Sequence, residues 1–109
     1  MWLITPRGFF SAVAKPEDGD EFVTVRARCE RDIRNLADLI DAEPSRDDGT
    51  DYRWRIRCRK SEWADAVSKM AEEIDYSNFK SRIAAEDPER AHLLARVRDV
   101  LYDIQRHEP

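Results

Sequence analysis

Glycine is scarce in this chain, three residues in all, and cysteine and histidine occur only twice each. Three glycines leave little material for a loop that lays successive backbone N–H groups around a phosphate, so no nucleotide cradle is expected. Cys29 and Cys58 stand about thirty residues apart with no Cys or His at metal-ligand spacing beside them, and they read as buried thiols rather than a disulfide or a zinc site. His92 and His107 sit toward opposite ends of one segment. Glu89 and His92 have the i, i+3 spacing of a metal pair, but no second such pair exists. No Ser/His/Asp order and no paired-histidine helix motif occurs, so neither a catalytic residue nor a cofactor nor a metal is implied. Long apolar runs are missing too: nowhere do about eighteen apolar residues follow one another, which excludes a spanning helix. The first seven residues lack a basic region followed by an apolar run, and Pro6 and Arg7 interrupt them, so no secretory leader is expected and the location expected is cytoplasmic.

What is present is an ordinary globular balance. Of 109 residues 41% are hydrophobic and 39% charged, which suits a single domain spanning residues 1–109 with a core of its own. The net charge of −4 argues against a globally basic nucleic-acid binder and says nothing of how the charge is distributed. Fifteen arginines stand against four lysines.

The order of elements follows from the hydrophobic period. Residues 2–5 and 9–15 are short apolar runs joined by Thr5-Pro6-Arg7-Gly8, a strand hairpin. An acidic loop centred on Asp18-Gly19 leads to a third strand in which Val23, Val25, Ala27 and Cys29 alternate with Phe22, Thr24, Arg26 and Arg28. From Glu30 to Asp41 the period becomes helical, with Ile33, Leu36, Ala37 and Ile40 on one face. Residues 42–51 carry Pro44, Ser45, Asp47, Asp48 and Gly49 and read as a loop. In residues 52–60 Tyr52, Trp54, Ile56 and Cys58 alternate with Arg53, Arg55, Arg57 and Arg59, without exception until Lys60 closes the strand. A helix follows from Ser61 to about Asp75, then a corner with a short helix, then a helix opened by Asp87-Pro88 and running to about Arg106, with Leu93, Val97, Val100, Leu101 and Ile104 expected inward.

The resulting order β-β-β-α-β-α-α predicts an α+β fold, a two-layer sandwich of the ferredoxin-like kind. Its four-stranded mixed sheet would have the helices on one face, and its fourth strand would lie parallel to the third, beside it or beside the first. Tyr52 and Trp54 are then core residues on the helix-covered face.

The other face of that sheet would present Arg26, Arg28, Arg53, Arg55, Arg57 and Arg59. Strand arginines two apart are about 7 Å from one another and repel by about 0.6 kcal/mol in water, too little to demand a ligand. Carboxylates of the loops at 17–21 and 47–51 can neutralise them, which would leave a solvated polar face. The functional reading is that these six side chains bind an anionic partner, since guanidinium makes bidentate contacts with carboxylate and phosphate alike. The aromatic signature of the common sheet-based RNA module is absent. Tyr76 and Phe79, at the corner before the last helices, are a second candidate partner contact, or else pack inward.

The opening Met1-Trp2-Leu3-Ile4-Thr5 with Gly8-Phe9-Phe10-Ser11, together with the corner Ile74-Asp75-Tyr76-Ser77-Asn78-Phe79-Lys80, resembles a family of small uncharacterised bacterial proteins. The resemblance spans most of the chain, implies a bacterial, cytosolic, single-domain protein, and transfers no catalytic residue. The function expected is that of a non-enzymatic protein-interaction module whose arginine-rich sheet face binds an acidic protein surface or serves self-association. An RNA- or DNA-binding domain using the same face is the alternative.

Overall fold

The two apolar runs at the start pair as an antiparallel hairpin, β1 (Trp2–Thr5) with β2 (Gly8–Val13), in a computed structural model that describes residues 1–109. Gly8 has φ +149°, and a Cβ placed on it would lie 2.4 Å from Cγ of Asp32. That glycine lets α1 (Glu30–Ala37) dock on the start of β2, where Asp32 Oδ2 accepts the backbone N–H of Phe9 at 3.0 Å. A single 3-10 turn, Pro16–Asp18, and Gly19 at φ +62° lead into β3 (Phe22–Ala27). After α1 come a two-residue strand β4 (Ser45–Arg46), β5 (Trp54–Arg59) and α2 (Lys60–Glu72). α3 (Phe79–Glu86) and α4 (Pro88–Arg106) complete the chain. The fold is α+β, and the chain forms two compact units, residues 1–74 and 75–109.

The sheet of the first unit has five strands in the order β1-β2-β3-β5-β4, every neighbour antiparallel. This corrects the expected four-stranded mixed sheet and the parallel crossover of a ferredoxin-like arrangement. The reason lies between α1 and β5. α1 has only eight residues, about 12 Å of rise, against about 20 Å for β3, and the segment after it returns to the end of the sheet where β3 stopped. Trp54 therefore pairs with Ala27 and Arg59 with Phe22. On the way back Ser45 and Arg46 pair with Arg55 and Trp54, so the expected loop is a hairpin onto β5, closed by Asp47 Oδ1 accepting the N–H of Gly49 at 2.9 Å. Antiparallel pairing also separates the cysteines. Cys58 faces Val23 at one end of β3, and Cys29 caps α1 beyond the other.

The face assignment along β3 and β5 is as the alternation predicts. Phe10, Ala12, Val23, Val25, Ala27, Ile56 and Cys58 are buried together with Ile33 and Leu36 of α1 and Trp63, Ala66 and Met70 of α2. α1 and α2 thus cover one face and leave the other for the polar set. In the second unit Asn78 caps α3 by accepting the N–H of Ser81 at 3.0 Å. Asp87 caps α4 by accepting the N–H of Arg90 at 3.0 Å, with Pro88 in the first turn. α3 and α4 pack on each other. The apolar side chains of α4 are not inward, contrary to expectation: Leu93, Val97, Val100, Leu101 and Ile104 are all exposed. α3 is eight residues long and α4 nineteen, about 12 Å against about 28 Å, so α3 can accompany only part of its neighbour.

Candidate functional site

Register collects the side chains of the open sheet face. Thr24 is opposite Arg57, Arg26 opposite Arg55 and Phe22 opposite Arg59; Ser11 lies beside Arg26, and Trp2 beside Ser11. β5 begins at Trp54, so Tyr52 stands outside the strand and does not follow its alternation. The expectation that Tyr52 fills the helix-covered core is corrected here. The ring is buried at 4% exposure, but on the arginine side, with the Cζ atoms of Arg26 and Arg28 at 4.4 and 4.1 Å from its centroid. Phe9 packs against Tyr52 at 6.3 Å between centroids, and the exposed Trp2 meets Phe9 edge-on at 5.7 Å. At the other end of the face Arg57 and Arg59 lie over Phe22 at 4.2 and 5.3 Å. A guanidinium laid on a ring is fixed in orientation and keeps its in-plane N–H groups for other partners.

Those in-plane partners divide the six arginines into two sets. Arg57 Nε donates to Asp18 Oδ1 at 2.8 Å, Arg59 pairs with Glu21, and Arg53 Nε lies 3.5 Å from Asp48 Oδ1. Asp18 is the best-built of these carboxylates. Its side chain has no exposure, and its Oδ2 accepts from Lys15 N at 2.8 Å and from the Thr24 hydroxyl at 3.0 Å. The Arg57 guanidinium holds the carboxyl below its ordinary range, against the opposing effect of burial, with the Lys15 N–H and the Thr24 hydroxyl acting in the same direction as Arg57.

Arg26, Arg28 and Arg55 have no carboxylate partner. Arg26 Nη2 donates to Ser11 Oγ at 2.7 Å, Arg28 Nη1 to the carbonyl of Asp51 at 2.8 Å, and Arg55 Nη2 to Thr50 Oγ1 at 2.8 Å and to the carbonyl of Tyr52 at 3.2 Å. The buried Nε atoms of Arg26 and Arg55 have no hydrogen-bond partner at all. Two like charges therefore face each other across β3 and β5, with a third beside them on the same tyrosine.

Tyr76 and Phe79, the second candidate, lie in the other unit, half-buried, with ring centroids 6.0 Å apart. Arg82 lies 5.6 Å from the Tyr76 ring and pairs with both Asp75 and Glu86. The two aromatics thus form a local corner held by an ion-paired arginine. Asp18, Glu21 and Asp48 come from the two acidic loops that the sequence offers as neutralising partners of the arginines. Tyr52 and Ser11 are the residues of this face that the sequence does not assign to it, because their roles depend on contacts between distant segments.

No group of three His, Cys, Asp or Glu side chains is placed to hold a metal ion, and no helix is long and apolar enough to cross a membrane. Comparison with protein-family models, with curated proteins and with solved structures finds no match for the chain.

Proposed function

We propose that this protein is a non-enzymatic interaction module that docks an acidic segment of a protein partner on its open sheet face. The contact is made by Arg26, Arg28 and Arg55 around Tyr52. The observation that carries this reading is the division of the arginines: Arg57 and Arg59 pair with Asp18 and Glu21, Arg53 shares Asp48 with Arg46, and three adjoining ones are held in place by a ring and by neutral acceptors only. Carboxylates of a partner peptide supply what those three lack, and the aromatic and hydroxyl contacts fix the guanidinium planes beforehand.

Single-stranded nucleic acid is the second reading, favoured by Trp2, which is 71% exposed on the same face. Two features weigh against it. The Tyr52 ring is covered by two guanidinium groups and offers no free surface for a base, and Asp18, Glu21 and Asp48 interrupt any continuous track for a phosphate backbone.

Fluorescence anisotropy at low salt separates the two. The probes are a labelled glutamate-rich peptide and an oligothymidylate of about twelve nucleotides. The peptide should bind, and Arg28→Ser with Arg55→Ser should weaken it by about tenfold or more, 1.4 kcal/mol, while Trp2→Ala leaves it unchanged. Binding of the oligonucleotide alone, lost with Trp2→Ala, would establish the second reading; binding of neither probe refutes both.

A further inference from the structure

From Arg96 to its end at Arg106 every residue of α4 is exposed. An unaccompanied helix of this length is marginal in water, because most helical stability in proteins comes from packing an apolar face. α4 has such a face. Leu93, Val97, Val100 and Ile104 recur at steps of four, three and four, the spacing of a coiled-coil seam, and their exposures run from 39% to 71%.

The charges beside the seam identify what covers it. When two such helices run antiparallel, Leu93 packs against Ile104 of the second copy and Val97 against its Val100, so all four seam positions are matched by a two-fold axis between Val97 and Val100. In that register Arg96 faces Asp103 of the second copy on one flank, and by symmetry the pair occurs twice; on the other flank Leu94 faces Leu101. A parallel pair fails this test, because Arg96 would then face an apolar Leu101 and the position facing Asp103 would lie beyond the end of α4 at Arg106. Within its own chain Asp103 has only an exposed contact with Arg106 at 3.4 Å. Antiparallel packing also opposes the two helix dipoles favourably.

We infer that α4 is a self-association element: two copies of this chain pair antiparallel along Leu93, Val97, Val100 and Ile104, with Arg96 and Asp103 forming reciprocal ion pairs that set the direction. The inference uses no residue of the sheet face, so it stands or falls apart from peptide docking.

Analytical ultracentrifugation of the full chain from micromolar to near-millimolar concentration tests it. The mass should rise with concentration from 12.8 kDa toward twice that value. Val100→Glu should hold it at the monomer value while leaving the circular dichroism of the sheet unit unchanged. Arg96→Asp should weaken association by about tenfold, since it places two acids opposite each other twice, and Arg96→Asp combined with Asp103→Arg should restore it. A chain that stays monomeric throughout overturns the inference. So does a dimer indifferent to Val100→Glu or Arg96→Asp, or one that the combined charge exchange does not rescue.

Discussion

Asp18→Asn is the sharpest probe of how the arginine face is held, because it removes a charge while leaving size and shape almost unchanged. The carboxylate has no exposure and collects three donors: Lys15 N and the Thr24 hydroxyl on Oδ2, and Arg57 Nε on Oδ1. An asparagine can keep its oxygen toward Lys15 and Thr24, but its NH2 group then faces Arg57, a donor against a cation. Hydrogen bonds to a charged group contribute about 1.5–3 kcal/mol each, and those to Lys15 and Thr24 would weaken to ordinary strength. Arg57 is 51% exposed and can turn to water, which discounts its share. The net cost at neutral pH is about 2–4 kcal/mol, or a fall in Tm of about 10–25 °C for a unit of this size. The folded-state pKa of Asp18 lies below its unfolded value. Its contribution is therefore complete above the ordinary carboxylate range and is lost as pH falls through the lowered folded value. Thermal melts of the two proteins should differ most near neutrality and converge as the pH is lowered below the ordinary carboxylate range. A variant within about 1 kcal/mol of the parent at neutral pH, or a deficit that does not shrink in acid, refutes the assigned role.

Gly8→Ala should destabilise by about 2–4 kcal/mol in urea melts, combining strain at φ +149° with a Cβ that would collide with the Asp32 carboxyl. Tyr52→Ala should cost about 3–5 kcal/mol, since it empties a buried site and removes the ring under two guanidinium groups; Tyr52→Phe should cost far less, as measured by the same melts. Burial pushes the Cys58 thiol up from about 9 to about 11, with Glu62 and Asp18 adding to it. Stability should accordingly fall between those two pH values in the parent and not in Cys58→Ala, and alkylation of Cys58 should require unfolding. Arg55→Thr should leave stability within about 1 kcal/mol of the parent, because relief of the facing Arg26 charge and of a buried unpartnered Nε offsets two lost hydrogen bonds. The same variant should weaken peptide binding in the anisotropy titration.

What the sequence made legible is what is encoded locally. The period of two placed Val23, Val25, Ile56 and Cys58 on one side of the sheet and Arg55, Arg57 and Arg59 on the other, and Asp87-Pro88 marked the start of α4. Strand direction was not local. It depends on how residues 38–53 return after α1, and the two residues of β4 are too few to show any period. Extending the alternation past the true start of β5 at Trp54 puts Tyr52 in the helix-covered core, whereas its ring lies under Arg26 and Arg28. On α4 the period stated correctly that Leu93, Val97, Val100 and Ile104 share a face. A period says which residues lie together and cannot say what lies over them.

The same distinction explains why net charge misleads here. A total of −4 and an array of six arginines are both accurate and both too coarse, because a guanidinium is defined by what meets its edge as well as by its sign. The arginines of this face are met one by one by groups brought from elsewhere in the chain: Asp18 and Glu21 from the turn before β3, Asp48 and Thr50 from the turn before β5, Ser11 from β2. The acidic turns therefore shape the basic face instead of merely balancing it. They pair with Arg53, Arg57 and Arg59 and leave Arg26, Arg28 and Arg55 with neutral partners, which orient them without cancelling their charge. A short acidic segment can satisfy three adjacent guanidinium groups, whereas a long polyanion would have to pass over the carboxylates that flank them.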